Sequence, residues 1–495
     1  MRRLLLVAAA VLALLVVGGG TAKADLCASA DCGPYAASLH WDVAPWGHTT
    51  TGYYVYLTGV QEGDVQSSPW VIGGMDCGSA FTLGVRPHDG SGNTGPMYTS
   101  VYTTPNCGGG SLTCDFTATS TATLNTDVSS ATAGQTVCLD TASYGTWSGT
   151  NKAITVAAAP GQSPTMTDAF GTGTCCFTLQ GMSGMSGDIS KNAHDITIKD
   201  STFSSAQTID TSGSNIVFDG DTFPQFVGTA RLWHLNIDAS DPGTGTVTVQ
   251  NSTFDNPGFA VPSGGADGVR CDSGTTNVLN NDISGIQDGN GANHGDPTQI
   301  VGGLCIIKGN YYHGMGDSST CSLGEWDGGT NTVFENNVVD GSTGCYNGVS
   351  LYSDINGLVD HNVFFKAGCG AGYGSDCGSV DIGYKTGGTG CGSPAESPGS
   401  GTVIRDNIMI GGISNGQGCG FSSYGESYNL SGNSLTGDTH DTGPSTNDTI
   451  GTPKFVGGAH PTTYAGFQLC SNSPGVGNAH DGSNDGIQMA SGSAC

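Results

Sequence analysis

The chain has 495 residues, with 83 glycines, 19 prolines and 18 cysteines, and 14 lysines and arginines stand against 42 aspartates and glutamates. Glycine costs a helix interior up to ~1 kcal/mol per residue, so this content excludes an all-helical fold. A formal charge of −28 excludes nucleic acid as a partner, because phosphate binding needs clustered basic side chains.

The chain opens with Met1-Arg2-Arg3, an apolar run from Leu4 to Val17, and small residues ending in Ala22 and Ala24. That order reads as a secretory signal over residues 1–24, with cleavage before Asp25 and a secreted, extracellular product. The run is shorter than the ~20 apolar residues of a membrane span. All the cysteines follow the cleavage point and none forms a Cys-x-x-Cys pair. Disulfides are therefore expected rather than a zinc or redox motif, with connectivity open and adjacent Cys175 and Cys176 departing from simple bridging. Cleavage removes Arg2, Arg3 and Lys23, which leaves the mature chain more acidic still.

Residues 25–106 carry short alternating segments separated by turn residues: Ser38 to Val43, Gly52 to Leu57 and Ala80 to Pro87. They predict a small β-sandwich. Trp41 on an early strand, the tyrosines Tyr53, Tyr54 and Tyr56, and Phe81 to Asp89 followed by Gly92-Asn93 resemble a fibronectin type III domain. The chain departs from that family at Phe81, which stands where a corner tyrosine is usual and carries no hydroxyl.

Residues 107–111, Cys107-Gly108-Gly109-Gly110-Ser111, read as a linker. A short unit then recurs, beginning at Ile196, Ile216, Val247, Asn277, Cys305, Thr332, Gly357, Thr402 and Tyr428. Each unit alternates apolar and polar residues, bends at Asn, Asp or Gly, and alternates again, as in Val247-Thr-Val-Gln-Asn-Ser-Thr-Phe254. This predicts a strand, a tight bend with left-handed backbone, and a second strand, repeated as a solenoid. With an opening coil at Ala133 to Asp140 and Ile154 to Ala157, the pattern resembles right-handed parallel β-helix proteins of the pectate-lyase-like superfamily. The expected fold is all-β, a small sandwich followed by a right-handed parallel β-helix over residues 112–495. The resemblance implies an extracellular polysaccharide partner without choosing an activity, because the scaffold hosts lyases, hydrolases, esterases, adhesins and tailspikes.

A further strand precedes each unit. Aligning these strands with Cys271, Ile300, Trp326, Leu351 and Ile382 facing inward predicts an outward column of Arg270, Gln299, Glu325, Ser350 and Asp381. Its neighbour reads Asp272, Val301, Asp327, Tyr352 and Gly383. His294-x-Asp296-x-x-Gln299 resembles a pattern of many exported β-helix proteins, with Pro297 departing from the commoner small or apolar residue.

These side chains set two enzymatic expectations and one without catalysis. A β-elimination lyase needs a base, a partner for the uronate carboxylate and an acid for the leaving oxygen. Arg270 or His294 is the candidate base and Tyr352 or His294 the acid, with Asp296 and Gln299 beside them. Asp272, Asp327 and Asp381, with Glu325, are the candidate Ca²⁺ ligands. Lys308 ranks below Arg270 because its alignment puts it on another strand. A glycoside hydrolase on a neutral glycan needs two carboxylates ~5–5.5 or ~6.5–9.5 Å apart, for which Glu325 with Asp327 or Asp381 are the available pairs. An acidic, disulfide-stapled solenoid also suits a non-catalytic surface or adhesin module that binds glycan. The polysaccharide lyase leads, although so acidic a chain repels uronate polymers unless a cation bridges them.

Overall fold

The computed structural model describes residues 21–26, 37–42, 47–57, 60–65, 70–72, 80–89, 91, 93–103, 112–190, 192–205, 207–210, 215–224, 233–238, 245–255, 267–286, 295–315, 320–325, 328–345, 347–367, 379–383, 399–409, 413–414, 423–431, 447–489 and 495. The signal segment before residue 21 and the linker at 107–111 lie outside this set, as do His294, Trp326 and Asp327. The chain divides into two compact units, Met1–Ser111 with Met489–Gly492 and Leu112–Gln488 with Ser493–Cys495. Among the described residues no helix is long and apolar enough to cross a membrane.

The first unit holds two antiparallel sheets. One orders the strands Thr21–Leu26, Ala37–Asp42 and Trp70–Ile72. The other orders Val60–Val65, Gly52–Leu57, Ala80–His88 and Tyr98–Thr103. Alternation buries Val55, Leu83 and Val85 completely. Three of these strands match the segments read from the sequence. The strand at Thr21–Leu26 straddles the expected cleavage point, so Thr21 to Ala24 would leave with the signal.

The second unit is a parallel β-helix. Its coils build three parallel sheets, of eleven, thirteen and nine strands among the described residues, called here front, rear and flank. One coil runs Asp267–Cys271 on the front, Thr275–Leu279 on the rear and Asp282–Ser284 on the flank. Each repeated unit of the sequence is thus a rear strand, a turn and a flank strand. Pairing aligns Ile198, Phe218, Val249, Val278, Ile307, Phe334, Val359 and Ile404 into one inward column, all buried. On the flank sheet Phe203, Phe223 and Phe254 stack with centroids 4.5 Å apart at each step.

The turn between rear and flank strands places one residue per coil in the left-handed region, among them Asn251, Asn280, Gly309, Asn336, His361 and Asp406, with φ between 52° and 70°. Glycine is needed at Gly309, where a Cβ would stand 2.3 Å from Asn280 Oδ1. The next residue of each turn points inward. Asn281, Asn310, Asn337, Asn362, Asn407 and Asn429 there form a buried ladder, each of the first five side-chain amides donating to the carboxamide oxygen one coil on and that of Asn429 to Ile404 O. The ladder continues upstream through Ser252, Asp221 and Ser201 and ends downstream on Asp448.

Both the start of the solenoid and one outer face carry covers that the repeat did not reveal. Helix α1, Thr121–Ser130, is capped by Ser120 and buries Leu124 and Val128 against the first strands. Lys152 Nζ donates to the carbonyls of Val128, Ser129 and Ala131 at its C-terminal end. On the flank sheet the outward column reads Thr222, Thr253 and Asp282, then turns apolar at Tyr311, Val338, Val363, Ile408 and Leu430. The C-terminal segment lies over that apolar stretch. Phe467 packs on Tyr311 and Phe365, Gly486 on Val363 and Ile408, and Gly475 on Leu430. Described disulfides join Cys114 to Cys138, Cys175 to Cys176, Cys271 to Cys305, Cys321 to Cys345 and Cys470 to Cys495.

One inward carboxyl makes a pH prediction. Asp168 is 2% exposed and neither oxygen has a partner outside its own residue among the described residues; burial pushes its pKa up to about 7. A raised folded-state pKa means that folding favours the protonated form, so this contribution is present in acid and lost as pH rises from the ordinary carboxylate range through 7. Asp168→Asn should therefore leave stability at pH 4 unchanged within ~0.5 kcal/mol and raise it by about 2 kcal/mol at pH 8, read from denaturant midpoints at the two pH values.

Candidate functional site

The front sheet orders its strands Asp267–Cys271, Thr298–Ile300, Leu323–Glu325, Val349–Tyr352 and Val380–Gly383 side by side. Pairing sets Arg270 against Gln299, Gln299 against Gly324, Gly324 against Ser350 and Ser350 against Asp381. The outward column is therefore Arg270, Gln299, Gly324, Ser350 and Asp381. Glu325 pairs with Ile300 and Leu351 in the inward column, and it is fully buried. This corrects its expected outward position. Taking bulky Trp326 as the inward residue slips the strand by one, and a slip of one residue reverses every side chain. Leu323, aligned with Val349, is the apolar anchor that fixes the register. Inside, Glu325 Oε2 accepts from Thr332 Oγ1 at 3.0 Å, and burial, with Asp354 nearby, pushes its carboxyl well above the usual range. Neither proposed hydrolase pair survives, because both need Glu325 at the surface.

Two polar clusters belong to this sheet, with Gly324 between them; in the second, Asn347, Ser350 and Asp381 are buried and Tyr352 is partly exposed. In the first, the half-buried Arg270 donates through Nε to Asp272 Oδ1 at 2.8 Å. One strand on, Gln299 donates through Nε2 to Asp296 Oδ2 at 3.1 Å. Asp296 is fully buried and also takes Thr320 Oγ1 at 2.6 Å on its other oxygen. It holds Gln299 in place and does not reach a ligand itself. In the second cluster, Tyr352 OH and Asn347 Nδ2 both donate to Asp381 Oδ2 at 3.0 Å, and Asn347 also reaches Ser350 Oγ at 3.0 Å. The sequence singled out neither Thr320 nor Asn347, since their roles come only from the coil that brings them beside an aspartate.

Strand spacing decides which residues can act together. Strands lie about 4.8 Å apart, so Arg270 and Asp381, four strands apart, are separated by roughly 19 Å. Asp272 and Asp381 therefore cannot share one cation, which corrects the expected calcium set. Arg270 and Tyr352, three strands apart at roughly 14 Å, cannot serve one sugar ring as base and acid. Gln299 and Ser350 flank the bare Gly324 at roughly 10 Å. Lys308 lies on the rear sheet, where it pairs with Glu335 at 2.7 Å, away from this face. His294 and Asp327 fall outside the described residues, His294 two positions before Asp296.

Comparison with known proteins gives no match to a family model and none among curated proteins. Among solved structures, the chain is similar to an alginate lyase complexed with a trisaccharide, at 12% identity, TM-score 0.41 and coverage of 78% of this chain and 97% of that one. An exopolygalacturonase of Yersinia enterocolitica is similar at 8% identity and TM-score 0.36, covering 85% and 97%. A pectate lyase is similar at 12% identity and TM-score 0.34, covering 77% and 97%. The parallel β-helix rests on the strand pairing itself, and the chemistry below rests on the residues of the front face.

Proposed function

We propose that the protein is a secreted polysaccharide lyase that binds an acidic glycan along the front sheet and cleaves it by β-elimination. The observation that carries this reading is Arg270, a partly exposed guanidinium on the front sheet, paired with Asp272 and beside Gln299 on the next strand. A guanidinium offers donors and no acceptor, so its role shifts from base to partner of the uronate carboxylate. Neutralising that carboxylate stabilises the carbanion-like state that forms when the adjacent proton leaves. His294, two residues before Asp296, is then the base, and Gln299 orients the same sugar. The hydrolase reading loses support with Glu325 facing inward.

Tyr352, partly exposed and held by the buried Asp381, would contact the glycan about two sugars away, beyond Gly324. If calcium is bound, Asp272 or Asp327 would hold it, and it would supply positive charge beside the uronate. The first unit, whose two sheets order their strands as three and four, is proposed as a fibronectin type III-like spacer. Tyr352→Phe tests the subsite assignment. It should raise KM for a long acidic glycan by about 5-fold with kcat unchanged, in initial-rate measurements of unsaturated product. A kcat reduced by the same factor with unchanged KM would return Tyr352 to the catalytic centre.

A further inference from the structure

Away from the front face, buried ionisable groups gather where the C-terminal segment meets the turns between rear and flank strands. The turn column there departs from Asn and Gly at three successive coils, with His361, Asp406 and then Tyr428, all in left-handed backbone. Asp360, the last residue of the strand Leu358–Asp360, sits beside His361 and is stacked on Arg405 of the following coil. From the covering segment come His480, Asp481 and Ser483.

The donor atoms converge. His361 Nδ1 lies 2.8 Å from Asp360 Oδ1 and 3.8 Å from Asp406 Oδ2, and the three atoms are all within 4.8 Å of one another. His480 Nδ1 contacts the same Asp406 Oδ2, while the His480 backbone amide donates to Asp406 Oδ1 at 2.8 Å. A tetrahedral ion with bonds of about 2.0–2.2 Å holds its ligand atoms about 3.3–3.6 Å apart, a value bracketed by the two His361 distances. The outer contacts suit ligation as well. His361 Nε2 is 3.0 Å from Ser483 Oγ and 3.9 Å from Asp481 Oδ1, so both can take a proton from Nε2 when Nδ1 gives its lone pair to an ion in place of its contact with Asp360. Arg405 holds the other oxygen of Asp360, Oδ2, at 3.0 Å and so turns Oδ1 toward His361. With neutral imidazoles, the carboxylates of Asp360, Asp406 and Asp481 exceed the single charge of Arg405 by two, the charge of a divalent ion. His361 and Asp406 are almost fully buried, so the site is closed, as structural rather than catalytic metal sites are.

We infer that Asp360, His361 and Asp406, whose donor atoms converge, form with His480 beside Asp406 a structural site for a divalent transition-metal ion of the zinc class. Two imidazoles and two carboxylates suit such an ion better than calcium, which takes oxygen ligands only. The ion joins two coils to the segment that covers the apolar flank face, and it is independent of the front-face chemistry.

The test uses the full secreted chain, stripped with chelator and titrated with ZnCl₂, MnCl₂ and CaCl₂, with metal content and melting temperature as readouts. One tightly held zinc per chain is expected, with a rise in Tm of about 3 °C at 100-fold excess over Kd and little response to calcium. His480→Ala, on the partly exposed arm, should keep the fold by circular dichroism and weaken zinc binding at least about 10-fold. His361→Gln should abolish it, and His313→Ala, at the separate His313–Asp282 pair, should leave it unchanged. Stripped protein that neither binds zinc nor gains Tm overturns the proposal and leaves a clamp of protons and ion pairs. Zinc binding equal in wild type and His480→Ala overturns it too.

Discussion

Asn337→Ala should destabilise the second unit by about 4 kcal/mol, measured by equilibrium denaturation. Asn337 Oδ1 accepts from both the backbone and side-chain amides of Asn310, at 2.9 Å each. Its own amide donates to Ile307 O at 3.0 Å and to Asn362 Oδ1 at 3.1 Å. Alanine keeps the backbone but strands two donors and two acceptors in a site with no exposure. Each buried orphan costs about 1–3 kcal/mol, partly recovered where Asn362 Oδ1 still takes the Asn337 backbone amide at 2.8 Å. The exposed neighbour in another coil supplies the contrast. Asn280→Gly keeps a left-handed turn and should change stability by less than about 1 kcal/mol.

Arg270→Ala should lower kcat/KM on an acidic glycan by about 10³-fold, the size of effect seen when a donor aimed at developing negative charge is removed. Folding should be intact, because Arg270 stands on the outward column and the inward neighbours Val269 and Cys271 carry the packing. Loss of the Arg270–Asp272 ion pair should cost only a little stability. Arg270→Lys keeps the charge without the planar fork and should recover only part of the loss, leaving about a 10-fold deficit. Equal rates for wild type, alanine and lysine variants would remove Arg270 from the chemistry.

The solenoid was legible because its cause is periodic. The outer strands of each repeat alternate with period two, the bend demands a left-handed residue every coil, and the core column repeats an apolar side chain at one place. The turn Asn that follows the bend was visible as a pattern, but its role as an internal ladder needed the coils stacked. The front face was harder. Its strands are only three to five residues long and lie between irregular loops, so one bulky residue, Trp326, outweighed Leu323 in setting the register and carried Glu325 to the wrong side. The alignment of Arg270, Gln299, Ser350 and Asp381 matches the strand pairing, since those strands have unambiguous apolar partners, but Ser350 and Asp381 are buried. Residues three or four strands apart share a face without sharing a ligand, which an alignment of strands alone does not display.

The C-terminal cover left a trace in the sequence that alternation alone discounts. A flank strand exposed on one side has polar outward residues, as at Thr253 and Asp282, whereas Tyr311, Val338, Val363 and Ile408 put apolar residues on both sides. That switch announces something lying over the sheet. The His361 and Asp406 turn is a similar departure, two charged or titratable residues where the other coils use mostly Asn or Gly. Helix α1 was hidden because its helix signal, Ser120 with Thr123, is brief and lies among threonines and serines that equally suit strands.

The most direct test of the proposed activity is the chemistry of the product. Purified protein is incubated with a panel of polyuronates and neutral glycans, with and without a calcium chelator, and the ultraviolet absorbance of new double bonds is followed beside the count of new reducing ends. The account predicts one unsaturated end for every reducing end on at least one polyuronate, nothing on neutral glycans, and loss of the signal in Arg270→Ala. Reducing ends without unsaturation, or no product on any polymer of the panel, would contradict it.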